Sequence, residues 1–150
     1  MMGWFNRHAN AISALSALLT AVLALAALIG VKIQIDASSA IQKEQSAKEI
    51  YREYLNLSIQ KPNFYAPDYC ALKKTAELPA YQAYVEYLLY TGEQVIEMDP
   101  QWEKSIASAM EAHAAYLCSP DVDLSMYAAE MQAVLASFQA GQFAEVKACP

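Results

Sequence analysis

The chain is poor in the residues that build metal and nucleophile sites. It has two histidines, His8 and His113, and three cysteines, Cys70, Cys118 and Cys149. No cysteine pair has C-x-x-C or zinc-finger spacing, so no zinc site is legible. A di-metal helical bundle needs paired Glu-x-x-His motifs on facing helices. His8 lies at the edge of an apolar run, and His113 has Met110 three residues before it. The residues therefore call for no metal and no cofactor. Basic residues are also scarce, ten Lys and Arg against sixteen Asp and Glu. The imbalance is local: residues 1–35 carry +2 and residues 36–150 carry −8. An acidic domain lacks the basic footprint that nucleic acid requires, and it would not lie flat on anionic lipid. Period-two alternation is missing too, apart from VKIQI, which reads as the end of a helix. The fold class is all-α.

The longest absence is of charge itself. Between Arg7 and Lys32 there is no Asp, Glu, Lys or Arg, and the 23 residues from Ala9 to Val31 are nearly all Ala, Leu, Ile and Val. As a helix they span about 35 Å, enough for a hydrocarbon core of about 30 Å. The run is longer than the apolar region of a signal peptide, and the small residues Ser38-Ser39-Ala40 lie well past its end. Trp4 and Phe5 stand where an interfacial aromatic belt is expected, with Arg7 and Lys32 placed to snorkel. The sequence thus predicts a short segment over 1–8 and a transmembrane helix over 9–33. Counting Arg7 and the α-amino group before it against Lys32, Lys43 and Lys48 after it, the balance leans by one charge to a cytoplasmic C-terminal domain. Three cysteines would leave one bridge and one thiol in an oxidising compartment, or three thiols in the cytosol. The odd number leans the same way.

Residues 34–60 read as a juxtamembrane helix, with Ala47, Ile50, Tyr51, Tyr54, Leu55 and Ser58 at helical spacing. Ser39-x-x-Gln42 could cap it as a new helix, or the membrane helix could continue into it. Residues 61–78, with Pro62 and Pro67, read as an irregular connection with one helical turn near Asp68 to Lys73. Residues 79–150 read as a helical domain packing with 40–60. Pro79 opens a helix whose core face is Tyr81, Tyr84, Val85, Leu88, Leu89, Val95 and Ile96. Asp99-Pro100 starts the next, with Trp102, Ile106, Ala109, Met110, His113 and Leu117 as its apolar stripe. CSPDVD is a loop. Asp123 caps a last helix, with Tyr127, Met131, Val134, Leu135 and Phe138 inward and Gly141 as its stop. The architecture is one transmembrane helix followed by a bundle of about four helices.

Few residues suggest chemistry. In YQAYVEYLLY, Tyr81 and Tyr84 fall with the core face, while Tyr87 and Tyr90 swing towards the polar side and suit a partner surface. Glu86, Glu93 and Glu97 lie near one line of the same helix; they read as a solvated face or as a ligand or ion site. His113 reads as a buried histidine bonded to a carbonyl or a tyrosine, or as a ligand or base. Cys118 sits about 140° further round the helix, which does not make a Cys/His pair. In the apolar helix Ser13, Ser16, Ala17, Thr20, Ala24 and Ala27 form a small-residue face against which a partner or a second copy could pack.

SAKEIYREYLNLSIQKP, YVEYLLYTGEQVIE and HAAYLCS together resemble a group of small bacterial proteins with one N-terminal membrane helix and a helical domain. The resemblance implies that architecture and a bacterial inner-membrane setting, and assigns no activity or functional residue. The expected function is that of a non-enzymatic accessory, scaffolding or adaptor subunit. A ligand- or ion-sensing domain is the alternative. The expected partners are the lipid bilayer and a membrane protein or a second copy.

Overall fold

The computed structural model describes the backbone of residues 2–142 and the side chains of residues 8, 11 and 13–141. The expected anchors Trp4, Phe5 and Arg7, and Cys149, lie outside the described side chains. Every regular element among the described residues is helical. The chain divides into two compact units, Met1–Gln42 and Lys43–Pro150.

The first helix, α1 (Met2–Gln60), is assigned without interruption, so Ser39 does not start a new helix. No Pro or Gly follows Gly30 within it, and i, i+4 ion pairs support its surface at Lys32–Asp36 (3.0 Å) and Glu44–Lys48 (2.5 Å). In the first unit the apolar side chains of α1 are open to the surroundings: Leu15, Leu18, Val22, Leu25 and Ile29 are each 55–70% exposed. The most apolar stretch has a mean hydropathy of 2.5, and none of it is buried. Among the described residues, this one helix is long and apolar enough to cross a membrane.

The second unit begins within α1 and continues through α2 (Pro62–Tyr65), α3 (Tyr69–Leu72) and α4 (Leu78–Met98). A 3₁₀ turn at Pro100–Trp102 runs into α5 (Glu103–Glu111). Next come α6 (Ala114–Leu117), a second 3₁₀ turn at Leu124–Met126, and α7 (Ala129–Gln142). Helix α4 is the hub, packing on α5, α7 and the first 3₁₀ turn. Its expected core residues, from Tyr81 to Ile96, are all buried. Two aspartates cap the chain, Asp99 at the expected place and Asp68 at the start of the expected turn. Asp68 accepts a hydrogen bond from the Ala71 N–H (3.0 Å) and opens α3; Asp99 accepts one from the Gln101 N–H (3.0 Å).

The structure departs from the expected helices in several places: α2 forms within the expected irregular connection, and Gly141, the expected stop, lies inside α7, which runs to Gln142. The stripe from Trp102 to Leu117 is not one helix, because α5 ends at Glu111 and α6 starts at Ala114. His113 lies between them at φ −109°, ψ 10°, and the bend lets His113, Tyr116 and Leu117 all reach the core. Asp123 does not start the last helix directly. It caps the 3₁₀ turn through the Ser125 N–H (2.9 Å), and α7 begins six residues later, at Ala129. The start of α7 is served from another helix: the Glu93 carboxylate on α4 accepts from the Ala128 N–H at 2.8 Å. A carboxylate there satisfies a free donor and favours the positive end of the helix dipole.

Gly92, buried in α4, is a second device of the fold. A Cβ at this position would lie 2.8 Å from the Ile106 Cγ2 and 3.4 Å from the Met131 Cε. The missing side chain is what lets α5 and α7 close on α4.

Candidate functional site

Apart from Glu97 and the small-residue face of α1, the expected site residues fall into two environments, a sealed aromatic core and an open groove. The core is built on the inward face of α4. Tyr54 of α1 and Tyr84 of α4 meet at 5.9 Å between ring centroids, and Phe64 stands edge-on to both Tyr81 and Tyr84. Tyr81 in turn contacts Tyr69, Tyr116 and His113. Such tilted and edge-on pairs place ring edges against ring faces, the favourable geometry for aromatic quadrupoles.

The hydroxyls of Ser58, Tyr84, Tyr69 and Tyr81 find partners through this packing. The Ser58 hydroxyl donates to the Tyr54 carbonyl (2.9 Å), so the Tyr84 hydroxyl donates to Ser58 Oγ (2.6 Å). Burial raises the Tyr54 phenol well above its ordinary pKa, and the hydrogen bond to Tyr84 raises it further. Tyr69 donates to Asp121 Oδ2 (2.8 Å), which also accepts from Lys73 (2.7 Å). Those bonds, Lys73 first and Tyr69 second, hold the Asp121 carboxyl below the usual range.

His113 is buried with 1% of its surface exposed, and its Nδ1 lies 3.1 Å from the Tyr81 hydroxyl. The reading of a buried histidine bonded to a tyrosine is met. Its other nitrogen, Nε2, is buried without a hydrogen-bond partner. Burial pushes the His113 pKa down to about 4, so the ring is neutral at neutral pH. One ring proton has two places. If Tyr81 donates to Nδ1, the unpaired atom is Nε2–H; if Nδ1 donates, the unpaired atom is an acceptor. In both cases the ring is closed off from solvent, which does not suit a general base. Cys118 is a half-buried free thiol whose pKa burial raises, which opposes thiolate formation. Cys70 is disulfide-bonded.

The groove lies on the other side of α4. Glu86, Tyr87, Tyr90 and Glu93 border a concavity of about 530 Å³ closed by Met126 and Tyr127. A smaller hollow of about 250 Å³ adjoins it, sharing Glu86, Met126 and Tyr127 and reaching Asp121 and Asp123. The structure thus brings Glu86, Glu93, Tyr87 and Tyr90 together and leaves Glu97 outside. Tyr90 and Met126 are open, at 55% and 70% exposure; Tyr87 is half-buried, and a long contact of 3.4 Å links its hydroxyl to Glu53. The Tyr127 phenol is pushed up to about 12, first by burial and then by Glu86, Tyr116, Glu93 and Asp123. Met126 was not legible as a groove residue, because it sits in a turn with no helical register to place it.

The small-residue face of α1 carries its own account of its hydroxyls. Ser16 donates to the Ser13 carbonyl (3.0 Å) and Thr20 to the Ser16 carbonyl (2.8 Å). Ser13, Ser16, Ala17, Thr20, Ala24 and Ala27 are all exposed in the single chain. A Cβ at Gly30 would meet nothing within 4 Å. Compared with known proteins, the chain matches no family model, no curated protein and no solved structure.

Proposed function

We propose that the chain is a single-pass membrane protein, anchored by α1, whose helical domain is a non-enzymatic accessory or adaptor subunit. The observation that carries this reading is the uncovered apolar surface of α1, from Leu15 to Ile29. Soluble monomers rarely leave contiguous apolar patches larger than about 300–600 Å² in water. In lipid the same surface is satisfied, since the helix pairs its own backbone and the Ser16 and Thr20 hydroxyls turn back onto it. The adaptor reading is supported by the use made of the reactive residues: His113 and the inward tyrosines are packed as core, and the open residues Tyr90 and Met126 are of the kinds enriched at protein interfaces.

The cysteines bear on the side of the membrane. A bonded Cys70 beside a free Cys118 is the one-bridge pattern of an oxidising compartment. It favours the helical domain on the oxidising face over the cytoplasmic placement that the single-charge lead and the odd cysteine count suggested. Membranes from cells expressing a C-terminally tagged chain test both points. The full-length protein is expected to stay in the membrane through an alkaline wash. Release as a soluble, shortened chain would replace the anchor with a cleaved leader. Maleimide labelling of the denatured, unreduced protein is expected to find one thiol per chain; three would return the domain to a reducing compartment.

A further inference from the structure

We infer that the groove between α4 and the 121–127 segment docks a basic segment of a partner protein, with lysine or arginine side chains meeting Glu86 and Glu93. The inference rests on the adaptor reading and names the chemistry of its partner. Three observations lead to it. The groove is concave, with two hollows of about 530 and 250 Å³ that share Glu86, Met126 and Tyr127. Its open walls, Tyr90 and Met126, are of the types that protein interfaces favour and adapt around. Its lining is acidic: carboxylates line both hollows and no lysine or arginine does, Lys73 reaching only Asp121 at the edge of the smaller one.

The carboxylates differ in how far they are already occupied. Asp121 is engaged by Lys73 and Tyr69, and Asp123 caps Ser125. Glu93 uses one oxygen, Oε1, on the Ala128 N–H and has the second to offer. Among the described residues Glu86 has no partner in an ion pair or hydrogen bond, yet its charge reaches Tyr116 and Tyr127. A cation placed over Tyr90 or Tyr127 would gain from the ring face as well as from Glu86. Nucleic acid and anionic lipid carry the wrong sign for this rim. A cationic protein segment has the right sign, and it alone can use the length and the apolar walls together. Glu86 and Glu93 are seven residues apart on α4, about 10 Å along the axis. That matches cations three residues apart in a polyproline-type extended chain, at about 3.1 Å per residue.

The test uses the full chain in mild detergent and a fluorescent ten-residue peptide, KAAKAAKAAK, followed by anisotropy at low and raised salt. Binding that weakens with salt is expected, with Glu86→Lys and Tyr90→Ala each weakening it about tenfold, the equivalent of 1.4 kcal/mol. The double change Glu97→Gln/Glu111→Gln, at exposed positions outside the groove, is expected to leave it unchanged. Near-ultraviolet circular dichroism of each variant verifies that the aromatic core is intact. No saturable binding at low salt overturns the inference. So does an equal loss in the Glu97/Glu111 control, which would mean a general charge effect. Spermine binding as tightly as the peptide would also overturn it, in favour of a small polycation site. The adaptor reading is separated by purification from native membranes. A stoichiometric partner retained by Glu86→Lys sinks the groove and keeps the adaptor; no partner with the native chain sinks the adaptor itself.

Discussion

His113 makes the domain sensitive to acid, and the size of the effect follows from its surroundings. The ring is almost wholly buried against Tyr81 and Tyr84, with Nε2 unpaired. In the unfolded chain it titrates near 6.5; in the folded domain burial lowers this to about 4. Between those values the unfolded state binds a proton that the folded state refuses. Stability from this group is therefore complete above pH 6.5 and is lost as the pH falls towards 4. The full gap is worth about 3 kcal/mol, and about 2 kcal/mol of it is lost by pH 5. For a domain of about 100 residues that lowers Tm by roughly 10 °C. The assay is thermal unfolding of the full chain in detergent at pH 7 and pH 5, for the native protein and for His113→Gln. Carboxylate protonation acts on both, so the difference between them isolates the ring. The variant is expected to lose several degrees less than the native chain over this interval. Equal losses would refute the account and place the proton on an imidazole with access to water.

Two further changes test the packing. Gly92→Ala gains about 1 kcal/mol of helix propensity but drives a methyl into the Ile106 Cγ2 at 2.8 Å; overpacking of this kind costs about 1–3 kcal/mol, so a net loss is expected in urea unfolding. In an Ile106→Ala background, where Cγ2 is gone, the same change is expected to become neutral or stabilising, and a stabilised Gly92→Ala in the native background would contradict the close approach. Glu93→Ala removes the acceptor from the start of α7 and is expected to cost about 1 kcal/mol, while Glu97→Ala on the same helix costs only a few tenths; equal effects would remove the capping role.

The helices were legible where a local rule sufficed. The uncharged run announced α1, the apolar spacing placed the core face of α4, and Asp99 marked its cap. The groove was legible in half. Tyr87, Tyr90, Glu86 and Glu93 could be placed on the outer part of α4 from helical geometry alone. Met126 and Tyr127, which close it, come from a turn whose position depends on how α7 returns to α4.

What the sequence determined by itself was the all-helical class, an apolar span of membrane length and the acidity of the remainder. These follow from composition and period, which act over one or two turns. The tertiary structure decided the rest. It turned Glu93 from a surface acid into the cap of another helix, made Gly92 a point of contact, broke a continuous stripe at His113 and sealed that ring beside Tyr81. It also separated a bonded Cys70 from a free Cys118. Each of these depends on groups far apart in the chain becoming neighbours, and no pattern within a single helix encodes that proximity.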